Sequence, residues 1–185
     1  HLRSWAVRML AEVKEVNPEA GPVRSNYKPA LQKQVVARWT EMAREDSSPR
    51  VRLYLGSALQ RLPATERATM AAALAGHGED ASDHNIGLML WYAVEPLGDA
   101  LPEGLVHVAE VSRIPVVRRH AARRLAEDIA SCPVPVALLM DWAAHQDESA
   151  QMDCILGISE ALRGVRQVNP PASWKAFSAS AARSG

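Results

Sequence analysis

Five stretches of this chain can be laid over one another, and each carries apolar residues at helical spacing: residues 1–12, 50–62, 88–98, 116–127 and 154–164. Aligned on Leu10, Leu59, Leu97, Leu125 and Leu162, they bring Ala6, Leu55, Ala93, Ala121 and Ile158 into one column four residues earlier. A stripe repeating at i and i+4 buries one side of a helix, whereas strand side chains alternate with period two. A single helix of this kind cannot bury its apolar face alone. Recurrence at intervals of tens of residues therefore predicts helices that stack into an array.

Partner helices fall between the aligned stretches, over residues 30–45, 64–76, 102–112 and 134–146. Pro63, Pro102, Pro115, Pro133 and Pro135 sit where the first turns of helices tolerate a residue without an N–H, so they punctuate the chain without breaking it. Gly76 and Gly78 are expected to close the second partner helix through left-handed backbone geometry. The order is helix, turn, helix, repeated about four times, after a lone second helix at the start and before a fragment around Trp174. Residues 16–29 read as a long loop, and residues 77–85 as a polar one. The serine- and alanine-rich residues 165–185 read as a linker or the start of a following helix, leaving residues 1–164 as the array. Neither end has the polar face of a capping unit, so the array or neighbouring domains are expected to continue.

Composition agrees and narrows the partners. Ala, Leu and Val dominate the apolar residues, and only one Phe and three Tyr occur, which favours helices over sheets. Lys plus Arg balances Asp plus Glu at 21 each, so no global field draws the chain to nucleic acid or an anionic membrane. No apolar run is long enough to span a bilayer. Cys132 and Cys154 lack the spacing of a zinc site and are expected to stay unbridged. The chain opens at His1 without an initiator Met or a signal segment, as expected of a piece of a longer protein.

Several clusters carry chemical potential. Arg113, Arg118, Arg119, His120, Arg123 and Arg124 form a basic group that could grip phosphates, although they spread over more than one helical face and lack interleaved aromatics. Nucleic acid is thus the alternative partner, with solvated faces and ion pairs between units the default. His77, Glu79, Asp80, Asp83 and His84 gather imidazoles and acids at a spacing that matches no metal motif, and acids ahead of a helix already favour its N-terminus. Leu88, Met89, Leu90, Trp91 and Tyr92 surround their helix, so one of the two aromatics is expected to face solvent. No nucleophile elbow, phosphate-cradling glycine loop, Cys/His pair or haem-attachment motif is present, so no catalytic residue, metal ligand or cofactor is assigned.

The most specific local motif is Asp46-Ser-Ser-Pro-Arg-Val51-Arg52, partly repeated at Pro115-Val-Val-Arg118 with Ser112 in place of the acid. It resembles the second-helix signature of HEAT repeats. The resemblance implies that Val51 enters the core while Asp46, Arg52 and Arg118 bond between neighbouring units. The fold expected is all-α, a right-handed α-solenoid of about four HEAT-like antiparallel helix pairs. In such arrays the second helices line one side. Their outward positions here include Arg50, Tyr54, Arg61, Tyr92, Arg119 and Arg123, a mixture of arginine and tyrosine enriched at protein interfaces.

Residues 1–10, 51–63 and 112–126, together with the string Asp83-His-Asn-Ile-Gly-Leu-Met-Leu-Trp-Tyr-Ala-Val-Glu-Pro-Leu97, resemble the HEAT-like region of the large membrane-bound dehydrogenases of Planctomycetes and Verrucomicrobia. That family implies an exported multidomain protein, with a sorbosone-dehydrogenase-like propeller before the helices and a c-type haem domain after them. Neither set of motifs lies in this chain. The resemblance therefore implies a non-catalytic spacer or protein-interaction module, periplasmic or exported, whose partners are neighbouring domains of the parent chain or another protein.

Overall fold

The computed structural model describes residues 2–11 and 29–184. Among them there are helices and no strand: α1 (Leu2–Ala11), α2 (Pro29–Glu45), α3 (Pro49–Leu59), α4 (Ala64–Ala75), α5 (His84–Val94), the single turn α6 (Leu97–Ala100), α7 (Pro102–Val111), α8 (Pro115–Glu127), α9 (Pro133–Ala143), α10 (Glu148–Ala161) and α11 (Trp174–Ser184). The loop expected over residues 16–29 lies outside the described residues except for Pro29, which opens α2. No described helix is long and apolar enough to cross a membrane.

The helices start where the sequence supplies a reason. Proline occupies the first turn of α3, α7, α8 and α9, where its missing N–H leaves no bond unmade. Asp83 caps α5 by accepting from the N–H groups of Asn85 (2.9 Å) and Ile86 (3.0 Å), and Asp147 caps α10 by accepting from Ala150 N (2.9 Å). The end of α4 corrects the expectation for Gly76, whose φ is −70°. There the last turn tightens, with His77 N–H donating to Leu74 O, and no left-handed residue is needed. The one described residue with positive φ is Gly164, at +85°, in the turn after α10.

Two rows of helices result. In one, α1 packs on α3, α3 on α5, α5 on α8 and α8 on α10; in the other, α2 packs on α4, α4 on α7, α7 on α9 and α9 on α11. The apolar core lies between the rows. It holds Leu55 and Leu59 of α3, Met70 and Leu74 of α4, Leu105 of α7 and Leu139 of α9, all essentially solvent-free. Each such side chain contributes roughly 1.5–3 kcal/mol of transfer free energy.

The register of three helices differs from the leucine alignment. Counted from their first residues, α3, α5, α8 and α10 bury Leu55, Leu90, Ala121 and Cys154 at the seventh position and Leu59, Val94, Leu125 and Ile158 at the eleventh. The caps Asp83 and Asp147 set where α5 and α10 begin, and so displace Leu97 and Leu162 from the column. Leu97 is buried, but in α6, because Glu95-Pro96 ends α5. In α1 the core face is Ser4, Val7 and Ala11, one residue on from the expected Ala6 and Leu10, which are exposed.

The tail ends in a helix. Residues 165–173 have no regular structure, but α11 packs on α9 with Phe177 only 1% exposed. Ser180 Oγ donates to Ala144 O (2.7 Å) and accepts from Gln151 Nε2 (3.1 Å), tying this helix to both rows.

Cys132 is exposed at the start of α9, and Cys154 is buried in α10, where desolvation pushes its thiol pKa up to about 12. Because the thiolate is the reactive form, a thiol reagent at neutral pH is expected to label Cys132 alone in the native protein and both after denaturation. Rapid native labelling of Cys154, read by peptide mapping, would contradict the buried setting.

Candidate docking surface

The signature residues bond from one helix to another or to the turn beside it. The Asp46 carboxylate accepts from Ser48 N and from the Arg3 guanidinium of α1, whose Nε lies 2.8 Å from Asp46 Oδ2. Arg52, four residues into α3, reaches forward to Asp80 in the turn before α5, with Nε to Oδ2 at 2.5 Å and Nη2 to Oδ1 at 2.6 Å. Its Nη1 donates to Asp46 O at 2.8 Å, and Val51 beside it is in the core. The Asp80 hydrogen bonds, ahead of opposing desolvation, hold the Arg52 guanidinium above its usual pKa.

Arg118 repeats this geometry in α8. It donates to Ser112 O, six residues back, and pairs with Asp153 of α10 at 2.5 Å. Burial pushes the Asp153 carboxyl up despite that guanidinium. The same fourth position in α5 is Gly87, and the turn it would address carries Ser112 instead of an acid. A Cβ on Gly87 would lie 2.6 Å from Val116 Cγ1, so close packing replaces the ion pair at this junction. In α10 the fourth residue, Gln151, donates to Gln146 O and Ser180 Oγ.

These bonds absorb the polar loop at residues 77–85. Asp80 holds Arg52, Asp83 caps α5, and His77 places Nε2 2.8 Å from Ala43 O and Nδ1 2.9 Å from Glu79 Oε1.

The basic cluster of α8 is similarly occupied. Arg119 pairs with Glu160, Arg123 with Glu127 at 3.2 Å, and Arg124 with Asp128 at 2.6 Å and with Asp99. Hydrogen bonds to Asp128 and Asp99 raise the Arg124 pKa. His120 stacks on Trp91 with ring centroids 5.1 Å apart, and burial, with Arg123 and Arg119 nearby, lowers its pKa. Phosphate oxygens would have to displace carboxylates from Arg118, Arg119, Arg123 and Arg124. Exposed Arg113 sits apart from them, just before α8.

The six residues expected on the outward face therefore divide. Arg119 and Arg123 are neutralised on α8. Arg50, Tyr54 and Arg61 sit on or just after α3, and Tyr92, 59% exposed, projects from the ninth position of α5. Trp91 beside it is half-buried, which settles which of the two aromatics faces solvent. By the corrected register, Met9 of α1 matches Tyr92 and is 71% exposed, with Leu2 and Trp5 exposed on the preceding turns. A groove of about 490 Å³ runs between α1, α3 and α5, lined by Arg8, Leu53, Tyr54, Arg61, Asn85 and Met89 among others. The sequence alignment missed Arg8 because the one-residue slip in α1 hid which side of that helix meets α3, and Met89 because aligning α5 on Leu97 misplaced its faces.

Compared with models of known protein families, with curated proteins and with solved structures, the chain matches none.

Proposed function

We propose that the chain is a non-catalytic helical-repeat scaffold, a right-handed α-solenoid of HEAT-like helix pairs, whose α1–α3–α5 side docks a neighbouring domain of a larger protein. In the context that the sequence resemblance implies, it is a spacer between the dehydrogenase-like propeller and the c-type haem domain of an exported oxidoreductase. The observation that carries the docking reading is the exposure of Trp5 and Met9 on α1 and of Tyr92 on α5, large apolar side chains left in solvent on the two helices that flank α3. The pairs Arg3–Asp46, Arg52–Asp80 and Arg118–Asp153 support the stacked-unit reading, since each joins one second helix to a neighbouring unit.

Hydroxyl-radical footprinting tests the docking. Trp5, Met9 and Tyr92 are expected to be oxidised several-fold more slowly in the full-length protein than in the 185-residue chain, while Met152 on α10 changes little. Equal labelling of the three residues in both proteins would remove the docking reading.

A further inference from the structure

We infer that a cavity bounded by α9, α10 and α11 binds a small neutral aromatic molecule about the size of indole, at a site separate from the docking surface on α1, α3 and α5. The cavity measures about 230 Å³. Its floor is Ile129, Met140, Ile158 and Phe177, all of them buried. Its mouth lies where Ser159, Pro170 and Trp174 are exposed.

The space persists because the segment that crosses it brings too little to fill it. Gly164, at φ +85°, turns the chain out of α10, and residues 165–173 run to α11 without regular structure. Pro170 and Pro171 fix φ at two successive residues and offer the cavity only compact rings. The far wall is held in place, since Phe177 of α11 is in the core and Ser180 is bonded to Ala144 O and Gln151 Nε2.

The lining selects the occupant. Among the described residues no ionisable side chain lines the cavity, and its polar side-chain groups are the Ser159 hydroxyl and the Trp174 ring N–H, both on exposed residues at the mouth. Water on this floor would lack the two to four hydrogen-bond partners it needs, and an ionised ligand would lose its hydration without replacement. Trp174 and Phe177 meet edge to face with ring centroids 6.1 Å apart, so a flat guest can stack on one ring and meet the edge of the other. The Met140 thioether adapts to such a guest. A dry cavity of roughly 150 Å³ holds benzene. About 230 Å³ therefore has room for a second fused ring.

Indole and purine are the probes, because they share one bicyclic frame and purine adds ring nitrogens that the walls cannot bond. Titration calorimetry is expected to show indole at one site on the 185-residue chain with Kd below about 1 mM, and purine at least about tenfold weaker. Isoleucine methyl signals in NMR spectra locate the site. Saturating indole is expected to shift those of Ile129, Ile155 and Ile158, which line the cavity, and to leave those of Ile86 and Ile114, buried in α5 and just before α8, where they were. Leu162→Trp and Val168→Trp each bring a bulkier side chain into the cavity and are expected to weaken indole more than about tenfold, with circular dichroism checking that both variants fold. No saturable binding, equal affinity for purine, shifts spread evenly over all five isoleucines, or undiminished binding by a folded variant would overturn the proposal. Binding by the 185-residue chain that is lost in the full-length protein would assign the space to a segment of the larger chain, and would overturn the small-molecule reading as well.

Discussion

Asp80→Ala is expected to destabilise the fold by about 3–5 kcal/mol, lowering the melting midpoint by roughly 10 °C. Arg52 and Asp80 are each only 2% exposed, and the guanidinium spends three donors on Asp80 Oδ1, Asp80 Oδ2 and Asp46 O. An arginine cannot shed its proton to escape burial, so removing the carboxylate leaves a positive charge in the interior. Glu79 stands 3.5 Å from Arg52 with a largely exposed side chain, which offsets part of the loss and argues for the lower end of the range. The double replacement Arg52→Leu with Asp80→Leu is expected to cost much less than the sum of the single changes, because no unpaired charge remains. The contrast is Arg123→Ala, which breaks a solvent-exposed pair with Glu127 and is expected to cost no more than about 0.5 kcal/mol. Thermal and urea melts followed by circular dichroism measure all of these variants. A cost below about 1 kcal/mol for Asp80→Ala would show that water reaches Arg52.

The all-helical character was legible because the stripes of α3 and α8 are clean. Val51, Leu55 and Leu59, and Val117, Ala121 and Leu125, recur at i, i+4 on one face each, and proline marks where both helices start. Alignment on leucine failed where the helix carries apolar residues on several sides. In α1, Leu2, Trp5, Val7, Met9 and Leu10 spread around the axis, and only packing against α3 selects Ser4, Val7 and Ala11. In α5 and α10 the information was present in another form. Asp83 and Asp147 are ordinary N-cap residues, and counting from them instead of from the leucines gives the register of both helices.

At the candidate site, the Asp46 and Arg52 motif pointed to bonding between units, but the identity of the partners did not follow from it. Arg52 meets Asp80 across 28 residues, and that aspartate lies in a polar loop whose acids are already explained by the helix N-terminus they precede. Arg119 is partly buried and Arg123 exposed on α8. Ion pairing between units is the default expected of this cluster, but which acid pairs with Arg119 was not legible, because Glu160 is 41 residues away and reaches it only once α10 packs on α8. Helical spacing reports which face a residue is on. What neutralises that residue is decided by the neighbouring helix.

Gly157 shows how closely that neighbour approaches, and the sign of its substitution tests the packing directly. A Cβ at this position of α10 would collide with the carbonyl oxygen of Arg119 and would lie 2.9 Å from both Ala122 Cβ and Arg123 N. Two of those three atoms are backbone, which cannot swing aside as a flexible side chain can. On helix propensity alone, Gly157→Ala would stabilise by about 1 kcal/mol, since alanine loses less chain entropy in a helix. We expect the opposite, a loss of about 1–3 kcal/mol, because α8 and α10 must separate to admit the methyl group. Gly56→Ala in α3 is the control. Its Cβ would meet Met89 Cγ at 3.5 Å, an ordinary contact with a pliable side chain, so propensity should prevail and the protein should gain up to about 0.5–1 kcal/mol. Melting midpoints that move in opposite directions for the two glycines would establish backbone contact between α8 and α10 as the reason for Gly157. A midpoint that rises for Gly157→Ala would rule out that backbone contact.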